Sequence, residues 1–131
     1  MKQKKIAKVK YPTEHAEQVR IFKWAVLSKG KYPQLELLFA VPNGSYKSFT
    51  ARMKFQAEGL RSGVPDIILP VASPQKHHGL YIELKRVKGG KVSPEQEWWL
   101  ERLTEQGYYA VVCKGADEAI QTIIDYLEGK L

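Results

Sequence analysis

The sequence is organised around two segments, Gly-Val-Pro-Asp-Ile-Ile-Leu at residues 63–69 and Leu-Tyr-Ile-Glu-Leu-Lys at residues 80–85. Each is a short apolar run, and the polar connection between them predicts a β-hairpin with a long loop. Asp66 opens the first predicted strand. Because side chains alternate along a strand, Glu83 and Lys85 share one face of the second. Charges on an apolar strand need an explanation, since burying charge is costly unless it is paired or coordinated.

A metal site would account for these charges. Asp66 and Glu83 lie on adjacent predicted strands, with a main-chain carbonyl between them. Such oxygen atoms are the hard ligands that Mg²⁺ or Mn²⁺ prefers. Lys85 beside them can orient an attacking water or stabilise charge on a phosphate. The alternative is a surface hairpin with a solvated Glu–Lys edge, and the Asp…Glu-x-Lys pattern alone does not separate the two.

Length and composition indicate one globular domain. The chain has 131 residues, no apolar run long enough to span a membrane and a single cysteine, Cys113. One cysteine excludes an internal disulfide and a multi-cysteine zinc site. The lysine-rich start lacks the apolar stretch of a secretory signal, so we expect the protein in the cytoplasm and not at a membrane.

Charge is distributed unevenly along the chain, whose net charge is +7. Residues 1–92 hold 18 Lys and Arg against 6 Asp and Glu, and residues 93–131 hold 3 against 8. The resulting balances, +12 and −5, favour contact between the basic part and a polyanion such as nucleic acid. Residues 1–12 form a predicted basic arm ahead of a single domain at 13–131. Its lysines suit either nucleic-acid contact or a solubilising tail.

Periodicity and capping signals predict the remaining elements. Helices are expected at about Glu14 to Ser28, Ser48 to Glu58, Ser93 to Gln106 and Asp117 to Glu128, and buried strands at Leu35 to Val41 and Tyr108 to Cys113. The order is α-β-α-β-β-α-β-α, which predicts an α/β/α sandwich around a small mixed sheet.

Two features of the third predicted helix bear on the site. Ser93 and Gln96 form a predicted capping box, which by itself is an adequate structural role for Gln96. Trp98, Trp99 and Leu103 are expected to serve mostly as core packing.

Five motifs together resemble a known nuclease family. Gly-Val-Pro-Asp (63–66), Ile-Glu-Leu-Lys (82–85) and Ser-Pro-Glu-Gln (93–96) are similar to the signature of PD-(D/E)xK nucleases, which have a restriction-endonuclease-like fold. Glu-His-Ala-Glu-Gln (14–18) and Pro-Asn-Gly (42–44) resemble the VRR-NUC branch, which includes small stand-alone phage and bacterial enzymes. The resemblance runs from Thr13 to Leu127 and is specific, because all five motifs occur in order.

The resemblance implies a metal-dependent phosphodiesterase acting on DNA. Asp66, Glu83 and the main-chain carbonyl of Leu84 would bind Mg²⁺ or Mn²⁺, and Lys85 would be the catalytic lysine. Gln96 would reach the site from its helix. Glu14 would complete the site through water or a second metal, and Glu17 is the alternative residue for that role.

Further expectations concern the substrate. The resemblance implies a homodimer that cuts branched DNA, such as four-way (Holliday) junctions or flaps, in a bacterial or phage-infected cell. Candidate DNA-binding residues are Asn43, Lys47, Arg52, Arg61, Arg86, Lys88 and Lys91. Two alternatives stay open: a nuclease of the same core that acts on other DNA or on RNA, and a nucleic-acid-binding module without catalysis.

Overall fold

The computed structural model describes residues 8, 10–42 and 47–131. The helices are α1 (Glu14–Ser28), α2 (Phe49–Ala57), α3 (Pro94–Glu105) and α4 (Gly115–Leu127), and a 3₁₀ helix spans Pro33–Leu37. The strands are β1 (Phe39–Ala40), β2 (Ile67–Leu69), β3 (Leu80–Lys85) and β4 (Tyr109–Lys114). This order confirms the predicted mixed α/β fold. No helix in the described ranges is long and apolar enough to cross a membrane.

The sheet is open, with strand order β1-β2-β3-β4. β1 pairs with β2 and β2 with β3 in antiparallel fashion, which confirms the predicted hairpin. β3 pairs with β4 in parallel, and α3 makes the crossover between them. The C-terminal ends of β3 and β4 therefore lie side by side.

One face of the sheet carries the hydrophobic core. Leu80, Ile82 and Leu84 alternate along β3 and are fully buried, as β-strand geometry requires of one face. They pack in the same cluster as Ile21 of α1 and Ile123 of α4. The odd-numbered side chains of β3, including Glu83 and Lys85, point away from this core.

Helix capping follows the predicted signals closely. The Thr13 side chain accepts the Ala16 N–H at 3.1 Å and fixes the start of α1. Ser48 does the same for α2 through Ala51, also at 3.1 Å. Ser93 and Gln96 form the predicted capping box of α3.

The predicted strand from Leu35 to Val41 is largely wrong. Only Phe39–Ala40 is a strand, and the 3₁₀ helix takes up the preceding residues. Leu35 and Leu38 are buried while Leu37 and Phe39 are exposed, so burial here repeats every three residues rather than every two. Pro33, at the start of the 3₁₀ helix, favours this turn because its φ is fixed near helical values.

Two expectations about burial near the C-terminal half are also corrected. β4 is not a fully buried strand: it lies at the end of the described sheet, and Cys113 is its one fully buried residue. α3 has no fully buried residue, and Trp98 is 45% exposed, so the prediction of a mostly core role is wrong for Trp98. Trp99 and Leu103 are half-buried.

Candidate active site

Three charged side chains are buried together at the end of the central hairpin. Asp66 is 7% exposed, Glu83 1% and Lys85 9%. Glu83 and Lys85 lie on β3, and Asp66 directly precedes β2, whose residue Ile67 pairs with Ile82. The hairpin register therefore brings Asp66 beside the end of β3, in line with the predicted hairpin, which put the two carboxylates on adjacent strands.

A hydrogen bond holds the Asp66 carboxylate against β3. Its Oδ2 accepts the backbone N–H of Leu84 at 2.7 Å. Leu84 lies between Glu83 and Lys85, so this bond fixes Asp66 at the point where both side chains leave the strand. The Leu84 side chain is buried in the core on the other face of the sheet.

The two oxygens of Glu83 have different surroundings. Oε1 accepts a hydrogen bond from Gln96 Nε2 at 2.8 Å and lies 3.5 Å from the Lys85 ammonium nitrogen. Oε2 is buried and accepts no hydrogen bond from the described residues. Burial, and then the negative charge of Asp66, raise the pKa of Glu83 to about 8, against the opposing effect of Lys85.

Gln96 joins the start of α3 to this carboxylate. Its Oε1 accepts the Ser93 N–H at 2.8 Å to close the capping box, which leaves its Nε2 free to donate to Glu83. The capping role and the site role are thus performed by opposite ends of one amide. Gly63 lets the preceding loop approach this helix, because a Cβ there would lie 2.7 Å from the Glu95 carbonyl carbon and its φ is +87°.

The structure separates the two glutamates of α1. Glu14 is exposed, and its pKa is raised by partial burial and then by the charge of Asp66, while Lys85 lowers it. The charges of Asp66 and Lys85 thus act on Glu14. Glu17 is buried, and its Oε2 accepts the backbone N–H of Ala116 at the start of α4. The hydrogen bond to Ala116 commits Glu17 to helix packing, so Glu14 is the glutamate of this pair that stays available to the site.

The predicted DNA-binding residues are dispersed. Lys47, Arg52 and Lys91 are exposed, and Asn43 lies outside the described residues. Arg86 is turned toward the chain itself, donating to the carbonyls of Pro12 and Tyr11 at 3.3 and 3.4 Å.

Aromatic rings engage two further cations of this set. The Lys88 ammonium lies 5.7 Å from the Tyr11 ring centroid, and the Arg61 guanidinium lies 5.2 Å from that of Trp99. The basic loop after β3 therefore contacts the end of the N-terminal arm.

One cation near the site is not among the predicted residues. Lys114 is the register partner of Lys85 in the parallel pair β3–β4, so both side chains leave the sheet on the same face. Its side chain is exposed. The sequence gives no signal for Lys114, because which strands pair and in which register cannot be read from local pattern.

The donor set fits a hard divalent cation. Asp66 and Glu83 supply carboxylate oxygens. The buried Oε2 of Glu83 accepts no hydrogen bond from the described chain, so its lone pairs are available to a cation. In the described part of the chain, no three His, Cys, Asp or Glu side chains form a ready-made metal cluster. A cation here would therefore rely on two carboxylates together with main-chain oxygen and water, as is usual for Mg²⁺.

Comparison with known proteins assigns the family. A sequence model described as the VRR-NUC domain matches residues 3–117. A solved structure described as a "VRR_NUC domain protein" superposes with a TM-score of 0.78 at 30% identity, over 92% of this chain and 93% of that one. No curated protein matches the chain.

Fold and sequence thus define a nuclease-type domain. The chain belongs to the VRR-NUC family.

Proposed function

We propose that this protein is a Mg²⁺- or Mn²⁺-dependent endonuclease that hydrolyses phosphodiester bonds in branched DNA, such as four-way junctions or flaps. The observation that carries the proposal is the buried cluster of Asp66, Glu83 and Lys85, in which one Glu83 oxygen has no hydrogen-bond partner among the described residues. A fold does not keep such a costly arrangement for stability, since apolar residues of similar volume would serve better.

The side chains divide the work of binding. Asp66, Glu83 and the main-chain carbonyl of Leu84 would hold the cation, with Glu14 completing the site through water or a second metal. When bound, the cation supplies charge neutralisation at phosphorus and acidifies a coordinated water. Gln96 keeps Glu83 in one orientation through its 2.8 Å hydrogen bond.

Lys85 contributes charge at the reacting phosphate. Its ammonium is nearly buried and lies 3.5 Å from Glu83, so its position is fixed before substrate arrives. From there it orients the attacking water or stabilises the negative charge that develops on the phosphate oxygens. Hydrolysis adds this water to phosphorus, breaks one P–O ester bond and leaves a phosphate and a hydroxyl end.

The proposed substrate preference depends on the exposed positive charge of the protein and on the shape of the DNA. Exposed Lys47, Arg52, Lys91 and Lys114 suit contacts to phosphates, which carry no sequence information. Within the described ranges no helix-turn-helix or comparable base-reading element is present. We therefore favour recognition of DNA shape, and the proposal includes the cytoplasm of a bacterial or phage-infected cell as the location.

A homodimer is part of the proposal. Cutting two strands of a junction suits a two-fold pair of active sites. Light scattering is expected to give twice the chain mass of 15.0 kDa. A species of 15.0 kDa alone, with or without junction DNA, would remove the dimer from the proposal.

Cleavage of a labelled panel tests the activity. The panel contains duplex, single strand, splayed arm, flap and four-way junction, each with Mg²⁺, Mn²⁺ or EDTA. Cutting confined to branched DNA, requiring metal and absent from Asp66→Asn and Lys85→Ala, is the expected result. Cutting of RNA or linear DNA in preference would support the same core with another substrate. Tight binding without cutting under either metal would support the non-catalytic module.

A further inference from the structure

A cavity lies between α3 and the loop that leads into β2. Its volume is about 320 Å³. It is lined by Arg61, Ser62, Pro94, Glu95, Trp98 and Trp99. Both walls lead directly to site residues: Ser62 precedes Asp66 by four positions, and Glu95 is adjacent to Gln96. The close approach of Gly63 to Glu95 joins the two walls.

The aromatic wall of this cavity is rigid. Trp99 donates its indole N–H to the Ser62 carbonyl at 3.0 Å, which fixes the ring against the loop. Trp98 packs edge-to-face on Trp99, with ring centroids 5.4 Å apart and planes at 88°. The exposed Trp98 ring is therefore held in place by its neighbour rather than by the core.

Two guanidinium groups flank the tryptophans. Arg61 lies 5.2 Å from the centroid of Trp99, and Arg102 lies 5.9 Å from that of Trp98. Arg102 is itself fixed by Glu105 at 2.9 Å. Trp98 keeps 45% of its surface exposed between these cations, so part of its ring remains open to a ligand.

We propose that this cavity binds one unpaired nucleobase of the DNA substrate, stacked on Trp98 beside the scissile phosphate. This inference rests on the proposed nuclease function. Stacking on an aromatic ring accepts any base, because every base has a π-face, and a neighbouring arginine adds a cation–π contribution. The Glu95 carboxylate on the cavity wall accepts a hydrogen bond from a base amino or imino group.

The proposed base site gives a physical source for selectivity toward branched DNA. A continuous duplex would have to unstack and unpair a base to fill the cavity, which is energetically unfavourable. A junction or flap already offers bases whose stacking is interrupted at the branch. The cavity therefore favours DNA in which the phosphate to be cut lies next to such a base.

Equilibrium binding without cleavage tests the site. Affinity for a labelled flap or junction is measured in EDTA for wild type, Trp98→Ala and Trp98→Phe, and again with single abasic positions placed through the branch. Trp98→Ala is expected to weaken binding roughly 5- to 100-fold, the worth of one stacked base, and Trp98→Phe to restore most of it. One abasic position should weaken wild type by a similar factor and leave Trp98→Ala unaffected.

Phe49→Ala is the matched control, because it also removes an exposed aromatic ring, on α2. It should bind as wild type does, and all variants should remain folded at the assay temperature, as thermal unfolding measures. If Trp98→Ala binds like wild type, or if no abasic position is coupled to it, the base site is wrong. Coupling without metal-dependent cleavage by wild type would overturn the nuclease function and leave the base site standing. Metal-dependent cleavage by wild type without coupling between Trp98 and any abasic position would overturn the base site and leave the nuclease function standing.

Discussion

Two buried glutamates, Glu17 and Glu83, have opposite surroundings. They are 3% and 1% exposed. Glu17 accepts the Ala116 N–H at the N-terminus of α4 and lies 4.0 Å from Arg20, which also bonds Asp117 on the same helix. Its charge is thus offset by the helix dipole and by a cation. Glu83 has another carboxylate beside it and one oxygen without a partner in the described chain.

The contrast distinguishes a carboxylate engaged in helix packing from one that we propose to bind a cation. Burial alone marks both residues equally, so burial is not the criterion. What differs is how far the fold compensates the charge. At Glu83 the Lys85 ammonium offsets only part of the effect of burial and of Asp66, and the pKa stays raised. Incompletely compensated burial of this kind reduces stability, and proteins retain it where a ligand supplies the missing partner.

Glu83→Gln should produce the largest effect of any change that breaks this contrast. It keeps the shape but removes the charge, so metal-dependent cleavage should fall by at least about 100-fold. Without metal the variant should be as stable as wild type or more so, because a neutral amide relieves the conflict with Asp66. Single-turnover cleavage and thermal unfolding in EDTA measure the two effects. A variant that cleaves at the wild-type rate would show that Glu83 is not a metal ligand.

The pH dependence of metal affinity sharpens the contrast. With its pKa raised to about 8, Glu83 must lose a proton before it binds a cation, so Mn²⁺ affinity should fall about tenfold per pH unit below 8 and level off above. The same shift, from an ordinary value of 4.5, makes the metal-free fold lose stability as pH rises through 8. Calorimetric titration in buffers of different ionisation enthalpy reads both affinity and proton release. Equal affinities at about pH 6 and pH 8 would contradict the assignment.

Glu17→Gln should affect stability instead of chemistry. The amide still accepts the Ala116 N–H but loses the favourable charge at the start of α4, at a cost of about 1–2 kcal/mol. Urea unfolding measures this loss, and cleavage per folded molecule should stay within about twofold of wild type. Unchanged stability with lost cleavage would reverse the roles of the two glutamates.

Lys114→Ala should have the smallest effect. Its exposed ammonium shares the sheet face of Lys85, so its loss should weaken DNA binding a few-fold and reduce the salt dependence of affinity by about one phosphate contact. Lys29→Ala, on a lysine that pairs with Glu36 beyond α1, is the control and should not change that slope. Equal slopes for Lys114→Ala and wild type would exclude Lys114 from the DNA surface.

Local pattern predicted the parts of the site that depend on short-range geometry. Alternation along β3 placed Glu83 and Lys85 on one face, and the capping signal at Ser93 set where α3 begins, which brings Gln96 over Glu83. These relations hold within a few residues of chain. They survive folding because the hairpin and helix start have standard geometry.

Relations across the fold were beyond the sequence. Glu14 and Glu17 are both on the first turn of α1, and only the packing of α4 shows which of them is taken by Ala116. Lys114 becomes a neighbour of Lys85 through a parallel register. The apolar run around Leu37 fits a strand or a short helix equally well, because brief runs carry no decisive period.

Gln96 couples the opening of the N-terminal end of α3 to the hydrogen bonding of Glu83. Its amide holds the Ser93 N–H with one end and Glu83 with the other. Fraying of the first turn of α3 therefore removes the Gln96 hydrogen bond from the carboxylate in the same event, and closing restores both. Hydrogen exchange at the Ser93 amide accordingly reports how often the first turn of α3 opens and the Gln96–Glu83 hydrogen bond is lost. The measurement requires neither substrate nor metal.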